Sequence, residues 1–186
     1  KYLINYSFRY AVWYNKLCSI INSLPKNIEL FFIWKFRARH FVHNRITWKK
    51  YHSKGGGAIR GYGIHMIAIL SDIGYLNIEE SNISSNSSYD LSSFSCSFES
   101  TNKLPKCKIL INSDSCENEF ICYYIKDKKK IKLLDLEVPF PYKDGLLEDP
   151  RLDITERFLK EKNSNFNNIN VINLWKAIED KIQDKY

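Results

Sequence analysis

Glycine is crowded into one stretch of this chain, Gly55-Gly56-Gly57-Ala58-Ile59-Arg60-Gly61-Tyr62-Gly63, with Lys54 just before it. Backbone amides of a Gly-rich turn that opens a helix can hold a phosphate, and flanking cations strengthen the hold. Lys54, Gly55, Gly56, Gly57 and Arg60 are therefore the candidate phosphate contacts. A flexible link between two helices is the plainer reading of the same residues. The run is not a P-loop, because no Gly-Lys-Ser/Thr follows it. Nor is it a dinucleotide fingerprint, because no strand is expected before it and its glycine spacing differs.

Other reactive side chains do not assemble into a site. His40 and His43 stand three apart and would share a helix face, but no carboxylate or cysteine near them completes a metal set. Five cysteines (Cys18, Cys96, Cys107, Cys116, Cys122) include no close pair of the kind that binds zinc, and reduced thiols are expected. The acids between Asp144 and Glu161 are interleaved with bases, so no carboxylate pair for acid–base work can be picked out. The chain reads as non-enzymatic, with no catalytic residues, no metal and no cofactor of its own.

Charge carries more information. Residues 1–62 hold twelve Lys and Arg against a single acid, Glu29, a net +11, whereas residues 63–186 carry a net −4. A division this sharp points the N-terminal part at an anionic partner: RNA, an acidic protein or a lipid surface. No apolar run is long enough to span a bilayer. The chain begins at Lys1 without Met, as a trimmed or processed protein would, or the ordered part of a longer one.

These residues need elements to position them. Apolar residues at helical spacing predict a helix from Tyr2 to Ser23, ended by Leu24-Pro25. A second, basic helix is expected over Asn27–His52, with Phe31, Trp34, Ala38, Phe41 and Ile46 as its apolar stripe. A third spans Ile59–Tyr75. Ser81–Ser100 is Ser- and Asn-rich and reads as a linker or insertion. Then the period shortens: Lys108–Ile111, Phe120–Ile125 and Ile131–Val138 read as strands, with a hairpin turn at Asp127–Lys130. Asp153–Lys162 and Asn173–Lys185 read as helices. The expected fold is α+β: an N-terminal antiparallel helical hairpin or three-helix unit, then a small antiparallel sheet and two C-terminal helices. The expected domains are 1–78, basic and helical; 79–105, linker; and 106–186, sheet with helices.

Trp13-Tyr14-Asn15 followed by Arg37-Ala38-Arg39-His40-Phe41-Val42-His43-Asn44-Arg45 resembles the LYR family of small mitochondrial helical proteins. Tyr14 would be the motif tyrosine, Phe41 the downstream phenylalanine and Asn44 the asparagine after it. Trp13 and Asn15 depart from the Leu and Arg of the pattern, and the likeness spans about residues 8–76. It implies a mitochondrial accessory or assembly subunit of a respiratory, ATP-synthase or iron–sulfur assembly. Lys35, Arg37, Arg39 and Arg45 would meet acyl carrier protein or neighbouring subunits. Trp13, Leu17 and Phe41 would line a slot for the carrier's acyl-phosphopantetheine group. Membrane association would be peripheral, through the larger complex. The alternative is an RNA-binding structural protein of an organellar ribosome, its basic residues on phosphates and its aromatics on bases.

Overall fold

Leu30, Phe32 and Trp34 are buried, while Glu29, Phe31 and Ile33 between them are only partly covered. That two-residue period, in a run of aromatic and branched side chains, makes a strand. In the computed structural model of the protein this strand lies within a six-stranded sheet. The structure describes residues 4–84, 91–100, 103–141, 151–160 and 168–183. In chain order the elements are α1 (Tyr14–Ser23), β1 (Glu29–Arg37), α2 (Arg39–Val42), α3 (Ile64–Ile73), β2 (Ile78–Ser84), β3 (Ser93–Phe98), β4 (Lys106–Asn112), β5 (Asp114–Lys126), β6 (Lys129–Leu136), α4 (Arg151–Lys160) and α5 (Asn168–Gln183).

The strand order is β2-β3-β4-β1-β5-β6. Strands β1 and β4 run parallel, from Glu29 beside Lys106 to Lys35 beside Asn112, and the other neighbours are antiparallel. The β5–β6 hairpin turns on Asp127 and Lys128, whose φ values of 50° and 60° match the right-handed twist of the flanking strands. One sheet face carries Leu30, Phe32, Trp34, Ile109, Ile111, Phe120 and Cys122. Against them pack Leu17 and Ile21 of α1, Met66, Ile67 and Leu70 of α3, and Val171, Leu174 and Ile178 of α5. No helix among the described residues is long and apolar enough to cross a membrane.

This is not a helical hairpin followed by a small sheet. The expected second helix, Asn27–His52, is instead β1, the short α2 and two 3₁₀ turns. Phe31 and Trp34 can be chosen at helical spacing only because Leu30–Trp34 is wholly apolar. Aromatic and branched side chains without a polar stripe favour a pleated, two-faced setting. With β1 hydrogen-bonded to both β4 and β5, no basic second helix exists for an LYR-type hairpin.

The sheet draws strands from 29–37, 78–84, 93–98 and 106–136, on both sides of the boundaries expected at 78 and 105. Within Ser81–Ser100, the end of β2 and all of β3 are strand, and residues 85–90 lie outside the described residues. The C-terminal helices overlap the expected spans, and residues 161–162 and 184–185 also lie outside the described residues.

Candidate functional site

The glycine-rich turn is a built structure. Gly55 and Gly57 have φ of 85° and 82°, which glycine adopts without cost. At Gly56 an added Cβ would run into the backbone of Trp48 and Lys49, so glycine lets those two strands of backbone touch. The Gly55 and Gly56 amides donate to the carbonyls of His52 and Tyr51, at 2.9 Å each. They are spent within the turn. A π-helical turn, Ile59–Gly63, then leads into α3. π-Turns of this kind recur at functional sites.

Trp48, Lys49, Gly55, Gly56, Arg60, Gly61 and Tyr62 line a cleft of about 220 Å³. Trp48 is 56% exposed, a large aromatic presented to solvent. Lys49 Nζ lies 5.9 Å from the Trp48 ring. From Leu30 to Ser71 the chain has no Asp or Glu, so the cleft's own segment contributes only positive formal charge. Gly61 has open space where a side chain would stand.

Arg60 is held from behind. Its Nε and Nη2 donate to the two Glu179 oxygens of α5 at 2.7 and 2.8 Å, and Nη1 donates to the His52 carbonyl at 3.0 Å. Trp175 Nε1 adds a 2.9 Å hydrogen bond to Glu179. Burial alone would raise the Glu179 pKa, but the bonds from Arg60 and Trp175 outweigh it and hold the carboxyl below its usual value. Arg60 thus forms a rigid wall whose charge is largely met by Glu179. Lys49, exposed beside Trp48, brings the cleft a second positive charge. His52 Nδ1 is buried without a partner, and burial lowers that imidazole's pKa.

One helical turn beyond Gly61, on the same face, stands His65. Its Nδ1 lies 3.4 Å from Ser7 Oγ, and its ring packs 5.4 Å from Phe8. Burial pushes its pKa down to about 4, so the imidazole is neutral near pH 7. With no side chain at position 61, His65 is the next titratable group along that helix face from the cleft.

The sequence-predicted residues scatter. Lys35 Nζ is paired with Glu117 at 2.8 Å and Glu119 at 3.2 Å, Arg37 Nε lies 3.6 Å from Asp114, and Arg39 and Arg45 are exposed in and after α2. Trp13 and Leu17 are core residues, with Trp13 Nε1 donating to the Pro139 carbonyl at 2.8 Å. Tyr14 donates to Asp72 at 2.8 Å. Phe41 rests against His40, and Asn44, at φ 47°, ends α2. Gly55, Gly56 and Arg60 do meet at the cleft, Gly57 packs against Leu91, and Lys54 Nζ lies 4.9 Å from the Tyr51 ring. The RNA-binding alternative set the chain's aromatics on bases, Trp48 and Tyr62 among them, and nothing in the sequence grouped those two with Lys49, Gly61 and Glu179. The signal was the open glycine at 61 beside an aromatic–basic pair. Among the described residues no group of three or more His, Cys, Asp or Glu could hold a metal.

No known sequence family and no curated protein matches this chain. Solved structures do. The WlbA dehydrogenase of Bordetella pertussis, solved with NADH and UDP-GlcNAcA, superposes with a TM-score of 0.68 at 10% identity, over 99% of this chain and 63% of its own. The fold is one that solved NADH-binding oxidoreductases share. An oxidoreductase of Desulfitobacterium hafniense described as NADPH-dependent gives 0.65 at 12% identity over 100% of this chain and 64% of that one. Levoglucosan dehydrogenase, solved with NADH and levoglucosan, gives 0.65 at 10% identity over 97% and 64%. These neighbours are oxidoreductases of the Gfo/Idh/MocA type. The chain spans less than two thirds of the length of each.

Four expectations fall on this likeness. The neighbours are not LYR proteins, and their fold has no use for the Tyr14–Arg45 hairpin. They are dehydrogenases, which overturns the non-catalytic accessory subunit and the ribosomal RNA-binding alternative alike. Several are solved with NAD or NADH, which overturns the absence of a cofactor and the acyl-phosphopantetheine expected in its place. The description as an LYR accessory subunit or a ribosomal protein goes with them. Basic residues that read as a protein-docking or RNA-docking helix belong to a strand and to the approach to a cleft.

Proposed function

We propose that this chain is the substrate-facing part of an NAD-dependent oxidoreductase acting on a hydroxyl group of a sugar or sugar-like compound. The observation that carries the reading is the superposition of nearly the whole chain on a dehydrogenase solved with NADH and UDP-GlcNAcA. The cleft supports it. An exposed aromatic, Trp48, can stack on a sugar ring, and Lys49 suits an anionic substituent.

The residues fit part of a dinucleotide complex and not the whole. A cleft of about 220 Å³ takes one ring or one phosphate. The sheet has one parallel pair, so it lacks the doubly wound switch point at which a dinucleotide sits. In this reading a separate doubly wound unit holds the adenosine half, and the present chain walls the reacting end. Bound NAD supplies the hydride acceptor. The chain's own part is to hold the sugar ring on Trp48, to fix its anionic group with Lys49, and to take the hydroxyl proton on the neutral His65 as the carbonyl forms.

Calorimetric titration with a UDP-linked uronic acid tests the substrate side. Binding that falls about tenfold on Lys49→Ala supports it. Equal binding by that variant, or none by the wild type, refutes it.

A further inference from the structure

Ser7 opens the N-terminal 3₁₀ turn, Ser7–Tyr10, and its Oγ lies 3.4 Å from Nδ1 of His65 in α3. Two residues on, Arg9 donates from Nε and Nη2 to the two Asp72 oxygens, at 2.7 Å each. Asp72 follows His65 by seven positions, about two helical turns, and so shares its face of α3. The 3₁₀ turn therefore meets the helix at two rungs, and the buried ion pair of the second fixes the register of the first. Phe8, between them, is wedged among Trp13, Trp34, Phe120 and Phe140, with ring centroids 5.6, 5.1, 5.4 and 5.4 Å away. The same ring lies 5.4 Å from the His65 imidazole, tilted from it by 35°. Turning the imidazole over would disturb this aromatic contact and set a carbon, not Nδ1, against Ser7.

A neutral imidazole carries one proton on one of its two nitrogens, and the hydrogen bond at one nitrogen decides the role of the other. Burial keeps His65 neutral near pH 7. A serine hydroxyl can accept from a protonated Nδ1 or donate to a bare one. Only the first arrangement leaves a lone pair on Nε2, which a base needs.

From this geometry we infer that Ser7 is the positioning residue for His65: its Oγ accepts from Nδ1–H and so fixes the tautomer whose Nε2 takes the substrate proton, an inference that rests on the oxidoreductase reading above. As the hydride leaves the carbon that bears the hydroxyl for NAD, the hydroxyl proton passes to Nε2 and a carbonyl remains. The imidazolium then carries a proton on each nitrogen until Nε2 returns one to water. In that state the Nδ1–H bond to Ser7 is charge-assisted and stronger than in the resting enzyme. Ser7 thus orients the ring before the transfer and favours the charge that the transfer creates. Arg9 and Asp72 act one step further back, by holding the turn that holds Ser7.

Nitrogen-15 correlation spectra of the histidine side chains, taken on the full chain near neutral pH, test it, with the His65 signals identified by their loss in His65→Gln. The expected wild-type result is a single tautomer protonated at Nδ1. Ser7→Ala should give the Nε2-protonated form or a mixture, with the circular dichroism spectrum retained, and Ser7→Thr should restore the wild-type form. In the natural-length protein with NAD and a UDP-linked uronic acid, kcat of Ser7→Ala should fall about tenfold with KM within about twofold, and Ser7→Thr should recover most of the loss. A wild type protonated at Nε2 overturns the inference. So does a Ser7→Ala spectrum that matches the wild type, or an unchanged kcat in that variant of an active enzyme. The spectra need no turnover, so a wild type that forms no NADH refutes the oxidoreductase reading while they still decide whether Ser7 sets the tautomer.

Discussion

Arg9 and Asp72, sixty-three residues apart, form a fully enclosed fork: Nε and Nη2 of the arginine each donate to a different Asp72 oxygen at 2.7 Å. The Arg9 side chain is 2% exposed and that of Asp72 11%. Tyr14 donates to the same carboxylate at 2.8 Å, and Arg9 Nη1 donates to Asn168 Oδ1 at 2.7 Å. One guanidinium therefore ties the N-terminal 3₁₀ turn to α3 and α5, with α1 joined through Tyr14. Removing either partner strands a buried charge. Arg9→Met or Asp72→Leu should lower stability by about 3 kcal/mol, read as a drop in the urea midpoint. The double substitution should cost less than the sum of the two.

The glycines of the turn should respond oppositely to the same change. Gly56→Ala places a methyl in the Trp48–Lys49 backbone and should cost about 2 kcal/mol or more, because backbone cannot step aside. Gly61 has nothing within 4 Å of an added Cβ, so Gly61→Ala should be neutral or gain up to about 1 kcal/mol. Thermal melts of the two variants decide the matter. Equal losses would show that the turn is not packed as described.

How much of this was legible in the sequence depended on whether a polar pattern accompanied the apolar one. The β5–β6 hairpin could be read because Asp127–Lys130 separates two short runs rich in branched residues. The second half of the third helix could be read because Ile67, Leu70 and Ile73 repeat. β1 could not, since Leu-Phe-Phe-Ile-Trp satisfies both a helical and a strand period and its buried set, Leu30, Phe32 and Trp34, is fixed only by β4 and β5 on either side. The cleft was half legible. Gly55, Gly56 and Arg60 stood out by type. Glu179, which holds Arg60, lies 119 residues away and carries no local signal.

His65 sets a pH dependence. Its folded pKa, pushed down by burial to about 4, lies below the value near 6.5 that an unfolded chain gives it. The unfolded state therefore binds the proton more readily between those limits. The stability from neutral His65 is complete above about pH 6.5 and is lost as pH falls towards 4, by up to about 3 kcal/mol. Stability measured from pH 7 to 4 should fall less steeply in His65→Gln than in the wild type. Parallel slopes would mean that His65 is not buried neutral.

The cleft side chains should separate function from folding. Trp48 and Lys49 are exposed, so Trp48→Ala and Lys49→Ala should change stability by less than about 0.5 kcal/mol. Their effect should appear in KM. Arg60→Met should do the opposite, costing stability at neutral pH by leaving Glu179 without its main partner, and that cost should shrink as pH falls because the carboxyl then protonates more readily in the folded state.

In the proposed reading, this fold serves transfer of a hydride to NAD from the carbon that bears a sugar hydroxyl. The most direct measurement is NADH formation by the natural protein, at its full natural length, with NAD and a panel of sugars and UDP-sugars, beside His65→Asn. The account predicts turnover with at least one anionic sugar, and a fall in kcat of at least a hundredfold in the variant with its thermal stability retained. No NADH from any member of the panel, together with no NADH binding by the wild-type protein, would contradict it.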